Sequence, residues 1–193
     1  MKRRLLAALL CAAATLAAHA ATPAVSSGNR HSVALHADGT VRTWGDDSNG
    51  QLGLGRTLVA RAPAQVLGIS SVSKVSSGFN HVVALTRDGT VWAWGINNLG
   101  QLGDGTTTNR STPAQVPGLT GVIEIAAGNA FTLALKGDGS VWSWGENYRG
   151  QLGYEESLRA PVRVPGLPFI RHIAAGGGHS LALADEGSVW GWG

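Results

Sequence analysis

Trp-Gly, followed after four residues by Gly-Gln-Leu-Gly, occurs three times in this chain, at Trp44–Gly53, Trp94–Gly103 and Trp144–Gly153. Trp192-Gly193 opens a fourth copy. Successive tryptophans of the series lie 50, 50 and 48 residues apart. A period of this length means one small unit copied several times, and a unit that small relies on its neighbours to cover its apolar faces. Function then belongs to the array and to the positions at which the copies differ.

Each copy reads as four short segments. In the third these are VIEIAAG at Val122–Gly128, FTLALK at Phe131–Lys136, SVWSWG at Ser140–Gly145 and PVRV at Pro161–Val164. The second copy has Pro113–Val116 at the last of these places. Between the second and third segments stands Asp-Gly, at 38–39, 88–89 and 138–139, with Glu186-Gly187 in the fourth copy. Asp-Gly between two alternating apolar runs is a strong hairpin signal, because both residue types tolerate positive φ. Val33/Leu35, Val83/Leu85, Leu133/Leu135 and Leu181/Leu183 point one way by their period of two, and Ala34, Ala84, Ala134 and Ala182 point the other. A sheet with bulk on one face and methyl groups on the other needs a neighbour on both sides. The fold class expected is therefore all-β, a β-propeller of four-stranded blades, with repeats at about 24–67, 72–117, 122–165 and 170–193.

The first twenty residues are of another kind. Met1-Lys2-Arg3-Arg4 is a basic start, Leu5–Ala18 an apolar stretch, and Ala18-His19-Ala20 a small-x-small triplet, which together read as a secretory signal peptide over 1–20. The chain is expected to be exported, to a bacterial periplasm or the extracellular space, and to have no membrane association once the leader is cleaved. Of the 15 Lys and Arg, three fall in the leader, leaving as many basic residues as the 12 Asp and Glu. A neutral chain with scattered arginines lacks the basic stripe that phosphate backbones require, so nucleic acid is not an expected partner. Cys11 is the single cysteine and lies within the apolar stretch, which leaves the mature chain to be held by packing alone.

Two sets of motifs carry a family resemblance. Val25–Leu35 (VSSGNRHSVAL) and Ile173–Leu183 (IAAGGGHSLAL) match an apolar-small-small-Gly-x-x-His signature, and the Trp-Gly…Gly-Gln-Leu-Gly segments match its other half. The chain resembles the regulator of chromosome condensation repeat family across its whole mature length. That resemblance implies a propeller, typically of seven blades. The family's members include a nuclear exchange factor for a small GTPase and a secreted bacterial inhibitor of β-lactamases. Seven blades at this period need on the order of 350 residues, and the 193 residues hold about three and a half, the fourth copy lacking its last strand. We therefore expect a piece of a longer reading frame, the alternative being a closed four-bladed ring whose last strand another segment supplies. The remaining blades would come from that longer chain or from self-association.

Residues with catalytic chemistry have plainer roles. His31, His81 and His179 share one repeat position, occupied by Phe131 in the third copy, and a ligand set interrupted by phenylalanine reads as a structural series that hydrogen-bonds turn backbone. Asp38, Asp88 and Asp138 precede glycines and read as turn formers, while Asp47, Asn97 and Asn147 read as loop-stabilising side chains. Trp44, Trp94, Trp144 and Trp192 read as blade packing. Trp92, Trp142 and Trp190 align with Arg42, so that second series reads as peripheral. No nucleophile elbow, His-x-Glu or Cys-x-x-Cys spacing is present, and neither an enzyme, a cofactor nor a metal is expected.

Strand direction sorts the connections into two ends. The Asp-Gly turns and the Pro-Gly-Leu links at 117–119 and 165–167 share one end and are nearly uniform. At the other end the copies differ, both in the short turns and in the long loops at 46–49, 96–99 and 146–149. Loops that vary on a repeated scaffold are where recognition is placed. The candidate partner-binding residues are Asn29, Arg30, Phe79, Asn80, Tyr148 and Arg149. A non-catalytic protein-binding scaffold is expected, with inhibition of an extracellular enzyme as one form of it. The alternatives are an exchange-factor-like regulator by family analogy and a carbohydrate-binding or adhesive surface module.

Overall fold

A computed structural model describes residues 20–193, and the leader read at 1–20 lies, apart from Ala20, outside them. Among the described residues there are fifteen strands and no helix. The strands form four antiparallel sheets, each a meander in sequence order. Blade one contains β1 (Ala24–Ser27), β2 (His31–Leu35), β3 (Val41–Gly45) and β4 (Ala60–Gln65). Blade two contains β5 (Val72–Ser77), β6 (His81–Thr86), β7 (Val91–Gly95) and β8 (Arg110–Gln115). Blade three contains β9 (Val122–Ala127), β10 (Phe131–Lys136), β11 (Val141–Gly145) and β12 (Leu158–Arg163). Blade four contains β13 (Ile170–Ala175), β14 (Ser180–Ala184) and β15 (Val189–Trp192). The all-β propeller read from the repeat is the observed fold, at about three and a half blades.

The core lies between blades, as the two-faced alternation requires. Val33, Leu35 and Val41 of blade one pack on Val82, Ala84 and Trp94 of blade two. Val83, Leu85 and Val91 then pack on Ile125, Ala134 and Trp144 of blade three, and Phe131, Leu133 and Leu135 on Ile173, Ala182 and Trp192 of blade four. Each bulky face thus meets the flatter alanine face of the next blade. A fully buried side chain such as Leu133 or Phe131 contributes about 1.5–3 kcal/mol by its removal from water. The rule leaves two faces uncovered. Blade four exposes Leu181 at 40% and Val189 at 69%, and the alanine face of blade one, with Ala34 and Trp44, is only half covered.

The Trp-Gly…Gly-Gln-Leu-Gly motif is the latch of that interface. Trp94 Nε1 donates to the carbonyl of Gln51 in the preceding blade (3.0 Å), and Trp144 and Trp192 repeat the bond to Gln101 and Gln151, each at 2.9 Å. The glutamine side chains hold their own loops in place: Gln101 Oε1 accepts the Leu99 N–H at 2.9 Å, and Gln151 Oε1 that of Arg149 at 2.9 Å. Gly103 is required on two grounds. Its φ is +72°, and a Cβ there would stand 2.6 Å from the Trp144 indole nitrogen.

The Asp-Gly turns use positive φ only at the glycine, +84° at Gly39 and +78° at both Gly89 and Gly139. The aspartate instead accepts from the residue after the glycine: Asp38 Oδ1 takes the Thr40 N–H (2.9 Å) and hydroxyl (2.7 Å). The glycine carbonyls of these turns receive the N–H groups of Val72, Val122 and Ile170, which begin the following blades. A uniform sequence at this end follows from that structural duty.

Candidate functional site

The short turns of the variable end meet around the axis of the array. Asn29 N–H donates to the Phe79 carbonyl (3.1 Å), Phe79 N–H to the Asn129 carbonyl (3.0 Å), and Asn129 N–H to the Gly177 carbonyl (3.2 Å). One side-chain position of each turn therefore stands on a backbone tied to the next blade. Beneath the turns the innermost strands are pinned too, by Ser26 Oγ to Ser77 N–H (2.9 Å) and Ser76 Oγ to Ala127 N–H (3.0 Å). The depression over this seam has a volume of ≈ 270 Å³.

The signature Gly-x-x-His has a steric cause. The His31 ring lies against Gly28 and the His81 ring against Gly78, so that a Cβ at either glycine would collide with the imidazole and with the next blade's glycine carbonyl. Phe131 fills the same place over Gly128. The position selects a flat ring. The hydrogen bond to turn backbone read from the sequence is not what His81 makes: its Nε2 faces Thr132 Oγ1 of blade three at 3.2 Å, and neither ring nitrogen of His31 has a partner among the described residues. Burial holds both imidazoles neutral, lowering His81 to about 3, with the nearby His31 adding, and His31 to about 4, partly offset by Asp46.

The long loops rise outside the turns and reach forward onto the next blade. Gly55 N–H donates to Ser111 C=O (2.8 Å), and Gly105 N–H to Arg159 C=O (2.9 Å). Inside each loop one polar side chain organises the chain. Asn147 Oδ1 accepts the Leu152 N–H (2.8 Å), while Nδ2 donates to the carbonyls of Tyr154 (2.7 Å) and Glu156 (3.0 Å). Asn97 does the same with Leu102 and Thr106. In the first loop Asp47 accepts from Leu52 N–H (2.8 Å), but its second oxygen is buried without a partner among the described residues. Burial pushes the Asp47 carboxyl up to about 6, and the neighbouring Asp46 charge adds to this.

The six sequence-nominated residues do not form one pocket. Asn29 and Phe79 flank the axial depression, and Phe79 and Asn80 also line a cleft of ≈ 310 Å³ between blades two and three. Tyr148 lines a second cleft of ≈ 290 Å³, across the ridge made by Asn98 and Leu99. Arg149 lies beyond it, its side chain over Gly178 of blade four. Arg30 is exposed on blade one, near Asp46. Phe79 is 47% exposed and Tyr148 78%, so two aromatic side chains stand open to solvent on a hydrogen-bonded floor. Ile96, Leu99 and Glu146 line the clefts as well and were not singled out from sequence; their signal was the variability of the long loops. A further cleft of ≈ 570 Å³ opens at the uniform end, beside Trp92. Its sequence signal was Thr86 where the third copy has Lys136.

The family model of the RCC1-like domain matches residues 12–193. Human WBSCR16 superposes with a TM-score of 0.79 at 28% identity, over 88% of this chain and 46% of that one. Yeast RCC1 (Prp20), solved bound to Kap60, superposes with a TM-score of 0.76 at 28% identity, over 88% of this chain and 43% of that one. A 41-residue stretch is 54% identical to the human probable E3 ubiquitin-protein ligase HERC3, covering 21% of this chain and 4% of that protein. The chain thus spans less than half the length of these three proteins.

Proposed function

Because the chain belongs to the RCC1-like domain family, we propose that it is a non-catalytic protein-binding propeller whose variable end receives the partner. The observation that carries this reading is the pair of exposed aromatic rings, Phe79 on a short turn tied to the next blade by backbone hydrogen bonds and Tyr148 on a long loop organised by Asn147. Rigid, solvent-exposed aromatics beside clefts are the anchors that dominate protein interfaces, since they bury much area at little cost in conformational entropy. The relative Prp20 is bound to Kap60 in one structure and has described binding properties towards Gsp1p and histones, which supports a protein as the partner class. The basic-apolar-small order of residues 1–20 supports export to the periplasm or beyond. An extracellular enzyme is then a fitting partner, and binding across its active site would inhibit it. Further blades, from a longer chain or from a second copy, would cover the bulky face of blade four and the alanine face of blade one.

The test is affinity capture from periplasmic and culture-fluid proteins with the immobilised chain. Phe79→Ala and Tyr148→Ala should each release the captured protein, anchors of this type being worth about 2 kcal/mol or more. Thr40→Ala and Ser140→Ala, on turns at the opposite end, should retain it. The reverse pattern would place the partner surface at the uniform end and overturn the reading.

A further inference from the structure

Blades two and three present the same aromatic–carboxylate pair at the uniform end, but only that of blade three carries a cation over its ring. In blade three Trp142 Nε1 donates to Ser140 Oγ (3.1 Å), which fixes the indole, and Lys136 lays its ammonium 5.4 Å from the ring centroid. Lys136 runs between that ring and Gly121 of the preceding link. Asp138 completes the site: its carboxyl is held below the ordinary range by the Ser140 hydroxyl and N–H, and the Lys136 charge adds to this. A cation over an indole face with a carboxylate beside it is a matched electrostatic arrangement.

In blade two the indole is fixed the same way, with Trp92 Nε1 donating to Thr90 Oγ1 (3.2 Å). Asp88 stands at the place of Asp138. The residue at the place of Lys136 is Thr86, whose hydroxyl turns into its own turn, 2.6 Å from Asp88 Oδ1 and 2.9 Å from the Thr90 carbonyl. No side chain of its own therefore crosses the Trp92 ring from that position. What remains is the cleft of ≈ 570 Å³, bounded by Ile69 and Ser71 of the link, Asp88, Trp92 and Gln115. Ser71 marks the spot independently. It replaces Gly121 of the next link yet keeps a positive φ of 56°, the one such non-glycine among the described residues. Backbone strain of this kind persists where surrounding structure over-determines it, and it gathers at ligand sites.

We propose that the Trp92 cleft is a receptor for a lysine side chain of a protein partner, whose ammonium takes over Trp92 the place that Lys136 takes over Trp142. The chain itself supplies the template of the occupant: a flexible four-carbon stem ending in a compact cation. Arg87, on the rim where blade three has Gly137, opposes a free cation by like-charge repulsion and so lowers the affinity for lysine alone. The site is separate from the variable end, and its occupancy does not depend on Phe79 or Tyr148.

The probe is Nα-acetyl-lysine methylamide, with Nα-acetyl-norleucine methylamide, which lacks the terminal ammonium, as its uncharged counterpart, titrated into the chain while the indole N–H resonances are followed by NMR. Assignment comes from Trp92→Phe and Trp142→Phe. The lysine amide should shift the Trp92 signal in the millimolar range and leave that of Trp142 in place, and norleucine should move neither. Thr86→Lys, which fills the cleft from within, should weaken the lysine response at Trp92 at least tenfold. Lys136→Thr should create a second site, so that Trp142 now responds. Arg87→Gly should tighten binding several-fold. An equal response to norleucine, an unaltered titration in Thr86→Lys, or silence of Trp142 in Lys136→Thr would each overturn the proposal. A response to glucose in place of the lysine amide would overturn it in favour of a sugar platform. Should Thr86→Lys fail to fold, Lys136→Thr decides alone, since it removes a half-buried side chain and adds a residue already native at this position in blade two.

Discussion

Asp47→Asn should stabilise the protein, and only above mildly acidic pH. Asp47 is fully buried, and one carboxylate oxygen has no hydrogen-bond partner among the described residues. In the third blade Asn147 meets the same demand with an N–H donor, to the carbonyls of Tyr154 and Glu156. The carbonyls at the corresponding offsets from Asp47 are those of Leu54 and Arg56. An ionised carboxylate offers these carbonyls only another acceptor. Holding the carboxyl at about 6 instead of 3.8 amounts to at most about 3 kcal/mol. The exposed Gly55 and Arg56 leave this loop open to solvent, which screens part of this, and replacing a buried unpartnered acceptor by an amide donor is worth about 1–3 kcal/mol, so the expected gain is about 1–2 kcal/mol. The sign follows from linkage. A carboxyl whose folded pKa is raised contributes stability below its unfolded value, near 3.8, and that contribution is lost as pH rises through about 6. Denaturant midpoints of both proteins from pH 4 to pH 8 are the assay. The two curves should lie together near pH 4, where protonated Asp47 donates as asparagine does, and separate to their full distance by pH 7.5. A variant less stable than wild type at pH 7.5, or a gap that does not change with pH, would refute the reasoning.

Three further outcomes follow from the same interfaces. Gly103→Ala should cost more than Gly105→Ala: both carry positive φ, a shared strain of about 1–2 kcal/mol, but only at Gly103 does the new methyl strike the buried Trp144 indole, adding about 1–3 kcal/mol; equal midpoints in urea would contradict the latch. His81→Phe should flatten the acid side of the stability profile, because a buried imidazole lowered to about 3 contributes stability present above its unfolded pKa of 6.5 and lost as pH falls towards 3. Between pH 7 and pH 4.5 wild type should lose about 2 kcal/mol more than the variant, read from denaturant midpoints, with Phe131 as the native precedent for the aromatic. Trp144→Phe keeps a ring but removes the donor to Gln101, and the net cost should be about 1 kcal/mol or more, whereas Trp142→Phe, with its half-buried ring, should cost less in the same titration.

Periodicity alone determined the architecture. A 50-residue unit with Val or Leu on one face and alanine on the other has one economical way to bury both, the radial stack, and the order of the strands follows from the turns between them. The division into a uniform and a variable end was legible for the same reason, since a meander fixes which connections emerge together. What the repeats share was therefore readable from the chain, because identical residues at a fixed period meet identical neighbours. What the repeats do not share needed the tertiary structure. Asp47 looks like a conservative exchange for Asn97 and Asn147 until the loop closes around it and leaves an oxygen without a donor. His81 finds its partner at Thr132, fifty-one residues away on the next blade, a pairing that no local pattern specifies. The six nominated residues share an end of the molecule but divide among two clefts, an axial depression and the flanks, because inter-blade rotation separates side chains that the alignment superimposes. Thr86 and Lys136 differ visibly in sequence, yet only the packed blades convert that difference into one filled indole face and one open one, since the space a missing side chain leaves depends on what surrounds it.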